Sequence, residues 1–291
     1  MLLKSTTKKL ALVALAGLAT ACTGSYVKDN KTFSEDGEVL VSASKESVTK
    51  AVMNPARGDA AMRDMYRNPQ QTLEFFGIRP DMTVVEILPG GGWYTSILNP
   101  IVKDQGKFYA AHFHMYDGAP GYYQRSLESF KNKVETNELY QGLEITEFHH
   151  TKAHNIAPEG TADMVLTFRN VHNWYMADGD EGVEQAFVAF AKALKPGGVL
   201  GVVEHRLPEN RDQAENKRSG YMKESYVIAA AEKAGFKLQA KSDINANPKD
   251  TADHPRGVWT LPPRLALGDQ DKAKYAAIGE SDRMTLKFVK Q

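Results

Sequence analysis

Residues 82–93 read MTVVEILPGGGW, and the way this stretch folds decides the class of the whole chain. Met82 to Leu88 is a short, mostly apolar run, and Pro89-Gly90-Gly91-Gly92 stops it. A run of that length closed by Pro and Gly reads as a buried strand, then a turn, then a helix from about Trp93. The same alternation continues outward. Lys107 to Ala111 reads as a second strand after Gly106, Leu143 to Phe148 as a third and Asp163 to Phe168 as a fourth. A helix from Gly182 to Leu194 places Val183, Phe187, Phe190 and Leu194 on one face, and Pro196-Gly197-Gly198 ends it. Val199 to Val203 is a fifth strand. A helix from Lys223 to Ala234 stops at Gly235 and leads into strand Phe236 to Lys241, and Met284 to Val289 is the last. Strands alternating with helices predict an α/β fold built on a mostly parallel sheet.

Of the 291 residues, 42% are hydrophobic and 25% charged, the profile of a globular domain. Lys+Arg and Asp+Glu are both 36, so no basic surplus points to a nucleic-acid partner. Enzyme, binding protein and scaffold all remain open on these grounds. The N-terminus differs from the rest. Lys4, Lys8 and Lys9 precede an apolar run, Leu10 to Leu18, that ends in Ala19-Thr20-Ala21-Cys22. A basic start, a short apolar core and small residues describe an export signal over 1–21, too short to span a bilayer as a helix. Cys22 is the only cysteine, so the chain has no internal disulfide. The segment resembles a bacterial lipoprotein signal. That implies export and a lipid on Cys22 holding the protein to the periplasmic face of a membrane. Thr23 after the cysteine implies the outer membrane. Residues 22–45 are polar and read as a tether, and 46–291 as the folded domain.

Three segments then carry a more specific likeness. VVEILPGGGW (Val84 to Trp93), LKPGG (Leu194 to Gly198) and AEKAGFKL (Ala231 to Leu238) resemble three landmarks of class I S-adenosylmethionine (SAM) methyltransferases, in order and at matching spacing. The first turn is similar to that of an uncharacterised branch of predicted bacterial methyltransferases. That branch also carries stretches like VEHR, INANPKDT, GVWTLPP and IGESDRMTLKF, which begin here at Val203, Ile244, Gly257 and Ile278.

The resemblance implies a Rossmann-like sheet of seven strands with helices on both faces and the last strand antiparallel. It implies SAM as cofactor, and methyl transfer to a small molecule or a cell-envelope component. Glu86 stands where the family organises the amino-acid end of SAM, although it could simply bond the turn. Gly90, Gly91 and Gly92 would let a ligand approach the backbone closely. Leu88 and Pro89 depart from the usual glycine-rich pattern. At the end of the second strand, where the family places an acid for the ribose, this chain has His112. After the third strand, where an acid faces the adenine, it has His149-His150-Thr151-Lys152. A lost hydrogen bond to a charged group weakens binding by roughly 10- to 150-fold. These departures sustain an alternative: an exported Rossmann-fold binding protein or pseudoenzyme with a changed ligand pocket. A nicotinamide oxidoreductase fits less well, because the turn lacks the full G-x-G-x-x-G.

Histidines follow four strands: His112 and His114, His149 and His150, His172, and His205. Several of them with Glu204 could hold a metal, but none has a compact spacing such as H-E-x-x-H, and no metal is expected. Methyl transfer needs positioning, and a base only where the acceptor must lose a proton. His172, within Arg169 to Trp174, and Glu204-His205 are the candidates. Asn170 and His172 could equally cap loops, and Trp93 could pack between helix and sheet. Arg57, Arg63 and Arg67 could contact an anion, with surface salt-bridge partners the preferred reading. Residues 244–283 begin on the ligand-facing side and read as a lid or substrate wall, with an inert cap as the alternative. Metabolic lipid labelling of wild type and Cys22→Ala should give a labelled and an unlabelled band; identical labelling would sink the lipoprotein reading.

Overall fold

The chain is described by a computed structural model over residues 35–291, with side chains from residue 44 onward; the proposed signal and Cys22 lie outside the described residues. Helix α1 (Glu35–Val52) is followed by a 3-10 segment (Pro55–Arg63) and helices α2 (Asp64–Arg67) and α3 (Pro69–Phe76). The body then runs β1 (Thr83–Ile87), α4 (Thr95–Val102), β2 (Lys107–Phe113), α5 (Gly121–Thr136), β3 (Glu144–Phe148), β4 (Ala162–Phe168), α6 (Val171–Ala193) and β5 (Leu194–Leu207). It closes with β6 (Met222–Lys223), α7 (Glu224–Lys233), β7 (Phe236–Ser242), α8 (Lys272–Ile278) and β8 (Arg283–Lys290).

All seven apolar runs become strands of one sheet, in the order β3-β2-β1-β4-β5-β8-β7, with the two-residue β6 beside β5. From β3 to β5 the neighbours are parallel, and β8 is antiparallel to both β5 and β7. The last strand is therefore antiparallel, as the resemblance implied. Successive residues of a strand face opposite sides of the sheet, and β1 shows the consequence. Val85 and Ile87 join the core beneath α6 and α7, whereas Val84 joins the core formed with α3 and α4. Glu86 shares the Val84 side, which aims its carboxylate at α4. The strand order reverses between β1 and β4, and a crevice opens at such a point beyond the carboxyl ends of the strands.

Three expectations are corrected. The helix read over 182–194 is the second half of a longer α6, bent at Gly179, which has φ 64° and ψ −141°. The segment holding His172 is thus a helical turn, not a loop. Leu194 already pairs with Ala162 in the sheet, so Pro196-Gly197-Gly198 lies inside the strand rather than at a helix end. Helix α1 begins within the stretch read as a tether, and its last turns bury Val48 and Ala51 against the core shared with α3 and α4. Among the described residues, no helix is long and apolar enough to cross a membrane.

Candidate functional site

The turn after β1 is built by backbone conformation. Leu88 takes φ 47° where the family pattern has glycine, and Gly90 and Gly92 take 57° and 78°. A non-glycine residue held at positive φ costs on the order of 1–3 kcal/mol and occurs where the surroundings impose it. Here the Leu88 N–H is fixed to the Ala111 carbonyl at 2.8 Å. The glycines then divide two tasks. A side chain at Gly92 would meet the Tyr140 ring at 2.5 Å, whereas one at Gly90 would enter open space. Gly92 is a packing glycine and Gly90 faces a cavity. Among the described residues the amide hydrogens of Gly90 and Gly91 bond no backbone carbonyl, and Lys133 Nζ donates to the Gly91 carbonyl at 2.6 Å.

Two cavities, of about 440 and 480 Å3, meet over this turn, and both are lined by Leu88, Gly90 and Asn170. The first has Glu86 at its floor, with Trp93, Tyr94 and Tyr140 around it. Glu86 accepts a 2.6 Å hydrogen bond from Thr95 Oγ1. Burial pushes its pKa up to about 7, against the opposing pull of that hydroxyl and of Arg169. The second cavity is walled by Phe113, Tyr123, Phe148 and Trp174, with His149 and His150 at its edge. Those histidines stack at 4.3 Å, and His150 Nε2 lies 2.7 Å from Asp178 Oδ2 of α6. Burial lowers the His149 pKa to about 4, so the ring is neutral near pH 7. Asn170 ties the two halves together by donating from Nδ2 to the Ile87 carbonyl at 2.9 Å.

A third cavity, of about 210 Å3, adjoins the first through Arg63, Arg67 and Arg169. His205 lines it, and the expected insertion supplies Trp259, Leu261, Pro262 and Pro263 as one wall. That wall is anchored. Asp250 accepts from Tyr221 Oη at 3.0 Å and from the Asp282 N–H at 2.8 Å, and it lies 2.8 Å from His254 Nε2.

The comparisons with known proteins fall on this geometry. No family model matches the sequence, and no curated protein matches it. Solved structures do match. A SAM-dependent methyltransferase from Aquifex aeolicus is 16% identical, with a TM-score of 0.51 over 84% of this chain and 97% of that one. A Galdieria sulphuraria protein assigned as a sarcosine dimethylglycine methyltransferase is 10% identical, with a TM-score of 0.52 over 79% and 85%. The [4+2]-cyclase SpnF is 12% identical, with a TM-score of 0.51 over 85% and 96%. The chain has a methyltransferase fold. At these identities the likeness fixes the architecture and leaves the reaction to the site.

Within that fold the sequence candidates separate. Glu86, Gly90 and Gly91 line the first cavity. His112 does not reach either cavity: it is fully buried under the turn, 5.1 Å from the Phe130 ring, with Nδ1 accepting from the Phe113 N–H. Burial lowers its pKa to about 4. His172 and Glu204 come together, with Nδ1 and Oε1 2.9 Å apart, but they sit behind His205 rather than on the cavity surface. His205 itself reaches the third cavity. Its Nδ1 lies 2.5 Å from Ser281 Oγ, its Nε2 has no hydrogen-bond partner among the described residues, and burial beside His172 and three arginines holds its pKa well below the usual range. Among the described residues His172, Glu204 and His205 bring ligand atoms within 4.8 Å of one another. The Glu204 oxygens are already engaged by His172 and by the His205 N–H at 2.7 Å, and the neighbouring arginines oppose a cation. Arg57 and Arg67 correct the surface reading. Both are 4% exposed, Arg57 pairs with Asp64 at 2.6 Å, and Arg67 lies 4.5 Å over the Trp93 ring. Arg169 and Arg283 had no place among the sequence candidates; their signal was only that each lies in a stretch quoted for another reason.

The raised Glu86 pKa fixes a sign. The unfolded chain ionises this group around its ordinary 4.5, the folded chain around 7. Between those values the native state binds more protons, so stability falls as pH rises, by on the order of 3 kcal/mol in all. Glu86→Gln removes that loss. Its melting temperature relative to wild type should climb from pH 5 to pH 8; a gap that does not change with pH would contradict the assignment.

Proposed function

We propose that this protein is a SAM-dependent methyltransferase acting on a small molecule or a cell-envelope component. One observation carries the reading: a glycine turn with a buried carboxylate at its base, opening onto two joined cavities of different chemistry. The residues present suit the two ends of SAM. Glu86, a buried carboxylate that accepts from Thr95, matches an ammonium group, and the amides of Gly90 and Gly91, which bond no backbone carbonyl among the described residues, match a carboxylate. The aromatic cavity bounded by Phe113, Tyr123 and Trp174 suits a purine. When bound, SAM would supply the electrophilic methyl group. The chain's own part is to hold the acceptor over the turn and exclude water. For an acceptor that must lose a proton, His205 is the available base, kept neutral by its surroundings and backed by the His172–Glu204 pair.

A second reading, an exported binding protein or pseudoenzyme with an exchanged ligand, is favoured by the end of β2. The position of the ribose-binding acid is taken by a buried His112, and aromatic rings occupy the cavity wall beside it. The cyclase among the structural neighbours is a case of this architecture named for another reaction. Export and lipid attachment at Cys22, on the periplasmic side and in the outer membrane, belong to the proposal on the strength of the N-terminal sequence.

Calorimetric titration separates the two readings. The methyltransferase reading predicts micromolar binding of SAM and S-adenosylhomocysteine, abolished by Gly90→Arg, which fills the open space above that residue. Absence of binding at millimolar ligand would favour the exchanged pocket.

A further inference from the structure

The third cavity holds a charge imbalance that the methyl-transfer reading does not by itself require. Arg63, Arg67, Arg169, Arg264 and Arg283 line it, against a single carboxylate, Glu280. Glu280 is nearly consumed already. It accepts from Arg63 Nε at 2.7 Å and is paired with Arg283. Arg67 Nε lies 3.5 Å from the same carboxylate, an ion-pair contact in which that buried nitrogen makes no hydrogen bond. Among the described residues Arg169 forms no ion pair, and its Nη1 is buried without a hydrogen bond. Arg264, at the mouth, is exposed.

Arginine does not discharge itself by losing a proton. Burial, then Arg169, pulls the Arg67 pKa down to about 8, and burial, then Arg283, pulls that of Arg169 down to about 10, which marks how poorly the charge is compensated within the chain. Arg169 also sits at φ 62°, a conformation that costs stability in a non-glycine residue. Partly buried like charges cost stability until something neutralises them, and an anion from outside the chain would do so here. Guanidinium groups recognise carboxylate and phosphate through paired N–H donors. The opposite wall, Trp259, Leu261 and Pro262, is apolar, so the complement is an anion on a short apolar body.

We propose that this cavity takes the acceptor by an oxyanion head group, carboxylate or phosphate, held by Arg169, Arg67 and Arg264, with its apolar part against Trp259. As a statement about the acceptor this rests on the methyltransferase reading; as a statement about the cavity it does not. In this arrangement His205 lines the same cavity as the bound molecule.

The test titrates the full chain, without SAM, with phenyl phosphate, benzoate and the neutral benzamide, following tryptophan fluorescence and heat. The expected result is saturable binding of at least one anion, no binding of benzamide, and weakening by about tenfold or more in Arg169→Gln and in Arg264→Gln. Whichever anion binds more tightly identifies the head group. Arg169→Gln should also melt higher than wild type in the absence of anion, because an unpaired buried charge has been removed. Arg264→Gln should keep wild-type affinity for S-adenosylhomocysteine. No anion binding, or binding that both variants leave unchanged, would overturn the assignment even if SAM binds. Anion binding in a protein that does not bind SAM would keep the anion site and remove its role as an acceptor site.

Discussion

The hydrogen bond from Asn170 Nδ2 to the Ile87 carbonyl ties together the two strand ends on which the rest of the site depends. Strands β1 and β4 are neighbours at the point where the sheet reverses its order, and the chain leaves in a different direction from each. Both exits pass through a non-glycine residue at positive φ, Leu88 and Arg169. Each of these residues still gives its N–H to the next strand, Leu88 to Ala111 and Arg169 to Val203, at 2.8 and 2.7 Å. The sheet therefore continues to the last residue before the chain turns away. That arrangement puts Gly90 over open space and Arg169 between two cavities, and it does so with rigid elements rather than with a loop.

The same strand ends carry charge that the protein does not neutralise internally. Among the described residues Glu86 has one hydroxyl donor, and Arg169 makes no ion pair. The two form no salt bridge with each other, although they line the same cavity. Buried charge of this kind lowers stability, and the surrounding fold must offset it. It has the means: the two cores flanking the sheet include Leu73, Phe76 and Leu98 on one side and Phe187, Phe190 and Leu286 on the other, all fully buried. Stability drawn from ordinary apolar packing thus holds open a cleft that is poor for stability and suited to a charged ligand.

Much of the architecture was legible in the sequence because it depends on local pattern. The strands are short apolar runs between Gly and Pro, and Val84 to Trp93 states the first turn outright. The first half of α6 was not legible, because Gly179 breaks its apolar period and leaves His172 looking like a loop residue. The exit from that helix was misread for a related reason: Pro196-Gly197-Gly198 carries a stop signal, yet Leu194 is already paired in β5. Glu86 and Gly90 could be placed from their position in the turn. His112 could not, since its direction depends on Phe130 packing against it from α5. The arginine cavity lay out of reach altogether. Arg63 meets Glu280 across 217 residues of sequence, and no spacing in a single chain announces such a meeting. The composition hid it as well, because a formal net charge of zero conceals a local surplus of positive charge.

The most direct test of the central claim, that the joined cavities over the β1 turn are a SAM site, is a crystal structure of the protein with S-adenosylhomocysteine. The account predicts the amino-acid end of the ligand within hydrogen-bond reach of Glu86 and of the Gly90 and Gly91 amides, with the purine among Phe113, Tyr123 and Trp174. A ligand seated elsewhere, or cavities that exclude it at saturating concentration, would contradict that claim and leave a methyltransferase fold in the service of another ligand.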